Sequence, residues 1–290
     1  MRVGFLLILP LLSAPAWSDP VRVFVGVPPL QTFVERVGGE QVEVHSLVQP
    51  GQSPHTYEPT PRQVAALGSA DLYVGVGIPF ETAQLPRIRA GNPRLRVLDA
   101  REGVDLRRLE AHDEAHSHLG DAAQVHAAEM DPHVWTSPRL VLGIVQGIRD
   151  ALTEIDPGNA RAYGANYDNF AMELDRLDRD IRDLLDPLTV RRFMVYHPSW
   201  GYFADTYGLV QVPIEKAGKE PGPRSLAALI DQARQEGVKV IFVQPQLAKK
   251  SAEQVAAAIG GRVVVIDPLA ADYMASMLQA AREIAEAAGR

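Results

Sequence analysis

Short runs of β-branched residues alternate with helical patterns along most of this chain, and this alternation is the feature that most restricts its fold. Strands are predicted at 21–27, 42–48, 72–76 and 95–98 in the first half, and at 192–196, 238–243 and 263–266 in the second. Helical patterns lie between them, as at 30–37, which ends at two glycines. Such βαβα alternation predicts mostly parallel sheets covered by helices. We therefore predict an α/β protein with two lobes.

One long amphipathic helix is predicted between the two halves, from about Asn159 to Leu185. Its apolar residues recur every three or four positions: Tyr163, Tyr167, Phe170, Leu174, Leu177, Ile181 and Leu184. A helix of this length spans about 40 Å. A coiled-coil arm is the alternative, but one such segment between two α/β lobes favours a spine that crosses both. We place the N-terminal lobe at 19–158, the spine helix at 159–186 and the C-terminal lobe at 187–290.

Three histidines and one aspartate each lie close to a proline in a short sequence context. They are His55 in Ser-Pro-His-Thr-Tyr-Glu-Pro, His133 in Asp-Pro-His-Val-Trp, His197 in Tyr-His-Pro-Ser-Trp and Asp267 in Ile-Asp-Pro-Leu. Proline fixes its own φ and restricts the residue before it, so these side chains are expected on stiff turns. Three imidazoles and one carboxylate complete a four-coordinate shell for a divalent transition metal, with ligands at about 2.0 to 2.2 Å for zinc.

A single histidine at a strand end is more often a structural hydrogen-bonding residue than a metal ligand. His45 keeps that structural interpretation. The other three histidines adjoin a predicted strand end or helix start. In open α/β sheets the carboxyl ends of the strands form the edge where ligands bind, which favours a functional role for these three.

In this order, the four contexts resemble those of the metal-binding subunits of zinc and manganese ABC transporters, a cluster of periplasmic binding proteins. The resemblance covers nearly all of the mature chain. It implies that His55, His133, His197 and Asp267 are the metal ligands. It also implies that the protein is a periplasmic solute-binding protein that captures Zn²⁺ in the cleft between its lobes and delivers it to an ABC permease. A periplasmic metallochaperone is a second candidate partner, and a monomer is expected.

The transported ion is predicted to be zinc, with manganese as the alternative. Imidazole nitrogens suit zinc, whereas manganese favours more oxygen ligands. Relatives tuned to manganese usually carry an acid in place of the third histidine, and this chain has His197 there.

A zinc-dependent hydrolase is the alternative from a different functional class. Three histidines with an open fourth position would suit metal-assisted hydrolysis. Asp267 argues against an enzyme because it would fill that position. The sequence also lacks a Gly-x-Ser-x-Gly nucleophile motif.

A second group of histidines lies in an acidic segment just before the His133 context. His112, His116, His118 and His126 are half of the eight histidines of the chain. Incidental histidines in a solvated loop are one interpretation, and weak metal exchange is the other. The family resemblance favours the second, because zinc-binding members often carry a loop rich in histidine and acids here. We expect the loop at 112–126 to be dispensable for tight binding.

The first residues predict a secretory signal peptide over 1–18. Arg2 precedes an apolar run and then small residues, with cleavage expected after Ala16 and Ser18 as the alternative. The chain has no cysteine, so we expect a mature protein that is soluble in the periplasm and is not a lipoprotein. A net charge of −7 disfavours nucleic acid as a partner.

Several residues near the four contexts are candidates for supporting the ligands or closing the site. They are Glu58, Trp135, Ser199, Trp200, Tyr202, Glu215 and Glu220. A metal-bound imidazole usually donates its other N–H to a carboxylate or carbonyl. The sequence leaves open which acid contacts which histidine.

Overall fold

The structure, a computed structural model, describes residues 19–109, 130–215, 221–247 and 250–289, which form two parallel four-stranded sheets covered by helices. The prediction of an α/β fold with two lobes and a long joining helix is confirmed. The predicted signal peptide, the histidine-rich segment at 112–126 and Glu220 lie outside the described residues. No helix in the described ranges has the length and apolarity that crossing a bilayer requires.

The first sheet has the strand order β2-β1-β3-β4, and all its neighbouring strands are parallel. Its strands are β1 (Val21–Val25), β2 (Val42–Ser46), β3 (Leu72–Gly75) and β4 (Arg96–Asp99). The connecting helices are α1 (Pro28–Gly38), α2 (Pro61–Leu67) and α3 (Pro79–Gly91). Thr60 caps α2 by accepting a hydrogen bond from the Gln63 backbone N–H, as the Thr-Pro pair predicts.

One long helix connects the lobes. α4 (Pro138–Ile155) is followed by α5 (Ala160–Leu185), a continuous helix of 26 residues. The buried face of α5 consists of Tyr163, Phe170, Leu174, Leu177, Ile181 and Leu185, which follows the predicted spacing.

The second sheet repeats the first topology, with the strand order β6-β5-β7-β8 and parallel neighbours. Its strands are β5 (Arg192–Val195), β6 (Val210–Pro213), β7 (Val240–Val243) and β8 (Arg262–Val265). Its helices are α6 (Gly201–Tyr207), α7 (Pro223–Gln235), α8 (Lys250–Ala258) and α9 (Tyr273–Ala287). β6 has no counterpart among the predicted strands, because a four-residue run that ends in proline carries little strand signal.

The two lobes share a continuous apolar core. α5 packs on α1 and α4 of the first lobe and on α9 of the second. A single cluster of buried side chains therefore runs from Val23 in the first sheet through Phe170 in α5 to Phe193 in the second sheet. This shared core joins the lobes more firmly than a flexible linker would, and it fixes the distance between the facing edges of the two sheets.

Candidate metal centre

The candidate site lies where the carboxyl ends of both sheets face each other. His197 comes two residues after β5, and Asp267 comes two residues after β8. His55 lies in the segment between β2 and α2, and His133 precedes α4. His197 and Asp267 therefore lie just past strand ends, at the edge where ligands bind in open α/β sheets.

The structure brings three of the four predicted ligands together. Ring nitrogens of His55, His133 and His197 lie within 4.8 Å of one another, and the ring centroids are 4.8 to 5.5 Å apart. Nitrogens bound to one tetrahedral zinc are about 3.4 Å apart for Zn–N bonds of about 2.05 Å. A small contraction of this group, which we call the histidine trio, would bring it to coordination distance.

Asp131 orients the first buried member of the trio. Its Oδ1 accepts hydrogen bonds from the His133 Nδ1, at 2.6 Å, and from the His133 backbone N–H, at 2.9 Å. Asp131 and His133 are 1% and 3% exposed. A proton on Nδ1 leaves the lone pair on Nε2 free for a metal ion, as in other carboxylate–histidine–metal arrangements.

Glu215 holds His197 in the same manner. The His197 Nδ1 donates a short hydrogen bond to Oε1 of Glu215, which comes two residues after β6. The Nε2 of His197 and the Nε2 of His55 are buried and have no hydrogen-bond partner among the described residues. Buried polar atoms without a partner are costly, so these two nitrogens are suited to a ligand.

Two members of the trio have lowered pKa values, which favours their neutral form. Burial, followed by the neighbouring His133 and His197, lowers the pKa of His55 to about 3. Burial also lowers the pKa of His133, although Asp131 acts in the opposite direction. Neutral imidazoles present the lone pairs that a metal ion needs, so His55 and His133 are in the protonation state for binding.

The trio lines a small cavity of about 10 Å³, together with Ser53, Gln244 and Gln246. This is room for about one water molecule. A cavity of this size suits a single dehydrated ion.

Asp267 lies beside this cavity without joining the trio. Its Oδ1 accepts hydrogen bonds from Gln246 Nε2, at 2.9 Å, and from the Leu269 backbone N–H, at 3.0 Å. Pro268 and Leu269 line the cavity, but the group of close ligand atoms in the described part of the chain consists of the three histidines. The role of Asp267 as fourth ligand stays a prediction.

The other residues singled out from the sequence fall into different environments. Trp135 is fully buried and packs against the His133 ring. Ser199 accepts a short hydrogen bond from Gln244, and the Tyr202 hydroxyl donates to the Asp131 backbone carbonyl at 3.0 Å. Trp200 is buried, whereas Glu58 is exposed.

His45 is half-exposed and contacts Glu43 on β2, outside the trio, which agrees with its structural interpretation.

Sequence reasoning missed three polar residues of the site. Asp131 stands two positions before His133 in the Asp-Pro-His context, so the preference of bound imidazoles for carboxylates could have identified it. Gln244 and Gln246 flank Pro245 directly after a strand, a position that favours ligand contact. Their amide side chains carried no further signal.

Two α/β lobes that bring three imidazoles together at facing sheet edges define a metal-ion-binding protein of the two-lobed type. A family model described as ZnuA, the periplasmic component A of a zinc-uptake complex, matches residues 23–287. The chain belongs to this family, and the resemblance drawn from the four contexts is confirmed.

Relatives of known sequence agree with this family. The chain is 31% identical over 260 residues to the high-affinity zinc uptake system protein ZnuA of Bacillus subtilis (strain 168), covering 89% of this chain and 81% of that one. It is 28% identical to the zinc-binding protein AdcA of Streptococcus pyogenes serotype M3 (strain ATCC BAA-595 / MGAS315), over 86% of this chain but 50% of AdcA.

Solved structures extend the similarity to the fold. A crystal structure of ZnuA superposes with a TM-score of 0.85 at 39% identity, covering 93% of this chain and all of that one (100%). A zinc-bound ZnuA with a deletion of 138–173, in the numbering of that protein, gives a TM-score of 0.83 at 39% identity. The match covers 94% of this chain and 99% of that one.

Family membership settles the broad functional class. The family comprises extracellular or periplasmic solute-binding proteins that act with an ABC transporter in the membrane, and they are not enzymes. The hydrolase alternative is therefore excluded.

Proposed function

We propose that this protein captures Zn²⁺ between its two lobes and delivers it to the permease of an ABC importer. Zinc is the transported cargo in this proposal. The observation that carries it is the histidine trio, whose ring nitrogens lie within 4.8 Å of one another at the facing sheet edges and of which His133 and His197 are buried. Membership of the zinc-uptake family supports the same function.

The proposed ligands are His55, His133 and His197, with Asp267 as the fourth. Carboxylates on Nδ1 of two histidines support coordination through Nε2. The hydrogen bonds to Asp267 engage Oδ1 in this structure, so its carboxylate reaches the ion when the side chain rotates from this position.

The nitrogen-rich trio supports zinc over manganese. Imidazole is a good ligand for zinc, while manganese favours carboxylate and water oxygens. The small cavity supports a dehydrated ion, which also disfavours an octahedral shell that keeps several waters.

We further propose a domain division of a signal peptide at 1–18, an N-terminal lobe at 19–158, a spine helix at 159–186 and a C-terminal lobe at 187–290. The absence of cysteine from the 290 residues supports a soluble periplasmic protein without a lipid anchor. In contrast, the relative AdcA of Streptococcus pneumoniae serotype 4 is named a lipoprotein. We also propose that the protein is a monomer and that it receives zinc from a periplasmic metallochaperone.

Competition titration against a chelator of known zinc affinity tests the proposed site. We expect the purified protein to bind one zinc ion tightly and to keep it in the presence of equimolar manganese. His197→Ala should lower zinc affinity by at least about a hundredfold, because it removes one of the three inner ligands and leaves Glu215 unpaired.

His45→Ala is the matched control, because His45 is a half-exposed histidine outside the trio. It should bind zinc as tightly as the unaltered protein. Equal losses in the two variants, or displacement of zinc by equimolar manganese, would contradict the proposal. Growth of a zinc-uptake-deficient strain on low zinc should be restored by the unaltered protein and by His45→Ala, but not by His197→Ala.

A further inference from the structure

Gln246 holds the side chain of Asp267 at the edge of the candidate site. It follows β7, and Asp267 follows the neighbouring strand β8, so the two side chains meet at adjacent strand ends. The Gln246 Nε2 donates to Asp267 Oδ1 at 2.9 Å, and the Leu269 backbone N–H donates to the same oxygen at 3.0 Å. One carboxylate oxygen is thus held by two donors outside the trio.

The backbone that carries Asp267 is fixed independently. The Ser276 hydroxyl donates to the Asp267 backbone carbonyl at 2.6 Å. The Trp135 indole N–H donates to the Pro268 carbonyl at 2.7 Å, and Trp135 is fully buried against His133. With the turn held from both sides, Asp267 can approach the ion chiefly by rotating its side chain.

Such a rotation must break or stretch the bond from Gln246. Among the described residues the close ligand group consists of the trio, and Asp267 lies outside it. The Gln246 Oε1 is buried without a hydrogen-bond partner in the described ranges, and the residue lines the same cavity as the trio. The Gln246 side chain therefore donates through Nε2 to Asp267, while no described residue donates to its Oε1.

We propose that Gln246 is a specificity-determining residue that competes with the bound ion for Asp267. The inference rests on the proposed zinc site. The hydrogen bond from Gln246 weakens Asp267 as the fourth ligand, so the shell is dominated by imidazole nitrogen. Removing that bond strengthens the anionic oxygen ligand, which tightens binding of both ions and benefits manganese more than zinc.

A double-mutant cycle tests this proposal. Gln246→Leu removes the donor at nearly constant volume, and Asp267→Ala removes its partner. We expect Gln246→Leu to tighten zinc roughly three- to tenfold, the range of one net hydrogen bond, and to tighten manganese by a larger factor. In the Asp267→Ala background the same substitution should change neither affinity. Gln246→Ala provides a second variant if the leucine perturbs folding.

Gln244→Ala is the matched control, because Gln244 lines the same cavity but contacts Ser199 and not Asp267. Any effect of Gln244→Ala should be the same with and without Asp267. Weaker zinc binding by Gln246→Leu, or an equal change in the Asp267→Ala background, would overturn the proposal.

The proposed zinc site is tested separately in the same experiment. One tight zinc ion in the unaltered protein, lost in His197→Ala, supports the site whatever the cycle gives. If zinc binds in this way, but the double-mutant cycle shows no coupling between Gln246→Leu and Asp267→Ala, only the proposed role of Gln246 is overturned. Absence of tight zinc binding in the unaltered protein overturns both.

Discussion

The imidazole of His197 and the carboxylate of Glu215 form a buried pair, with the ring Nδ1 donating to Oε1 and the two residues 6% and 4% exposed. Asp131 makes the equivalent contact with His133 at 2.6 Å. Two proposed ligands from different lobes are therefore each oriented by a carboxylate on Nδ1. Each acid sits directly behind the ring that it orients, so its charge also increases the basicity of the proposed metal ligand.

Glu215→Gln tests this arrangement, since it keeps the shape of the side chain and removes its charge. We expect zinc affinity to fall about ten- to a hundredfold, the usual effect of losing such a partner. Chelator competition measures the change. Glu286→Gln is the control, because Glu286 makes an exposed pair with Arg262. A similar loss in both variants would contradict a specific role for Glu215.

Gly201→Ala should disturb the ion pair between Arg107 and Asp131. A Cβ at Gly201 would lie 1.9 Å from Nη1 of Arg107, whose Nε lies 3.9 Å from Asp131 Oδ2. We expect the guanidinium to shift, with a loss of about 1 to 3 kcal/mol in free energy of unfolding and several-fold weaker zinc binding. Urea denaturation and zinc titration measure the two effects.

Gly143→Ala is the companion variant for that experiment. Gly143 lies in α4, and a Cβ there meets no described atom within 4 Å. Replacing this helical glycine should stabilise the protein by about 0.5 to 1 kcal/mol and leave zinc affinity unchanged. Unchanged stability and affinity in Gly201→Ala would argue against the support of Asp131 by Arg107.

Trp135→Phe should weaken the contact between the lobes. The substitution retains an aromatic ring beside His133 but removes the hydrogen bond to the Pro268 carbonyl. We expect the free energy of unfolding to fall by about 1 to 3 kcal/mol, because a buried carbonyl loses its donor. Equilibrium denaturation of the zinc-free protein measures this. Identical midpoints would show that the bond contributes nothing to stability.

Deletion of residues 112–126 tests the prediction for the histidine-rich segment. We expect one tight zinc site to remain, because the trio lies entirely outside the deleted segment. Zinc acquisition should slow only at low free zinc. A fall of more than about a hundredfold in equilibrium affinity would show that the primary site includes this segment.

The continuous spine predicts little closure on zinc binding. Between Tyr167 and Leu185, α5 contains neither glycine nor proline, and helices bend sharply mainly at such residues. We expect small-angle scattering curves of the zinc-free and zinc-bound protein to superpose closely. A marked compaction with zinc would contradict a rigid connection between the lobes.

The sequence predicted the architecture well because its periodicities are strong. The apolar spacing predicted α5, and the β-branched runs predicted the strands of both parallel sheets except the short β6. The trio could be predicted because each histidine has a distinctive proline context. The contact between Gln246 and Asp267 could not, since neighbouring strand ends come together only when β7 and β8 pair. Similarly, choosing Glu215 as the partner of His197 required the β5–β6 pairing.

The trio unites His55, His133 and His197, which are far apart in the chain and come from both lobes. No proteolytic fragment with only one lobe contains the complete set, and an unfolded chain does not bring the nitrogens together. Zinc retention therefore reports that the whole molecule has finished folding. A population of this protein can be assayed for intact molecules by its metal stoichiometry alone, without a spectroscopic probe or an antibody.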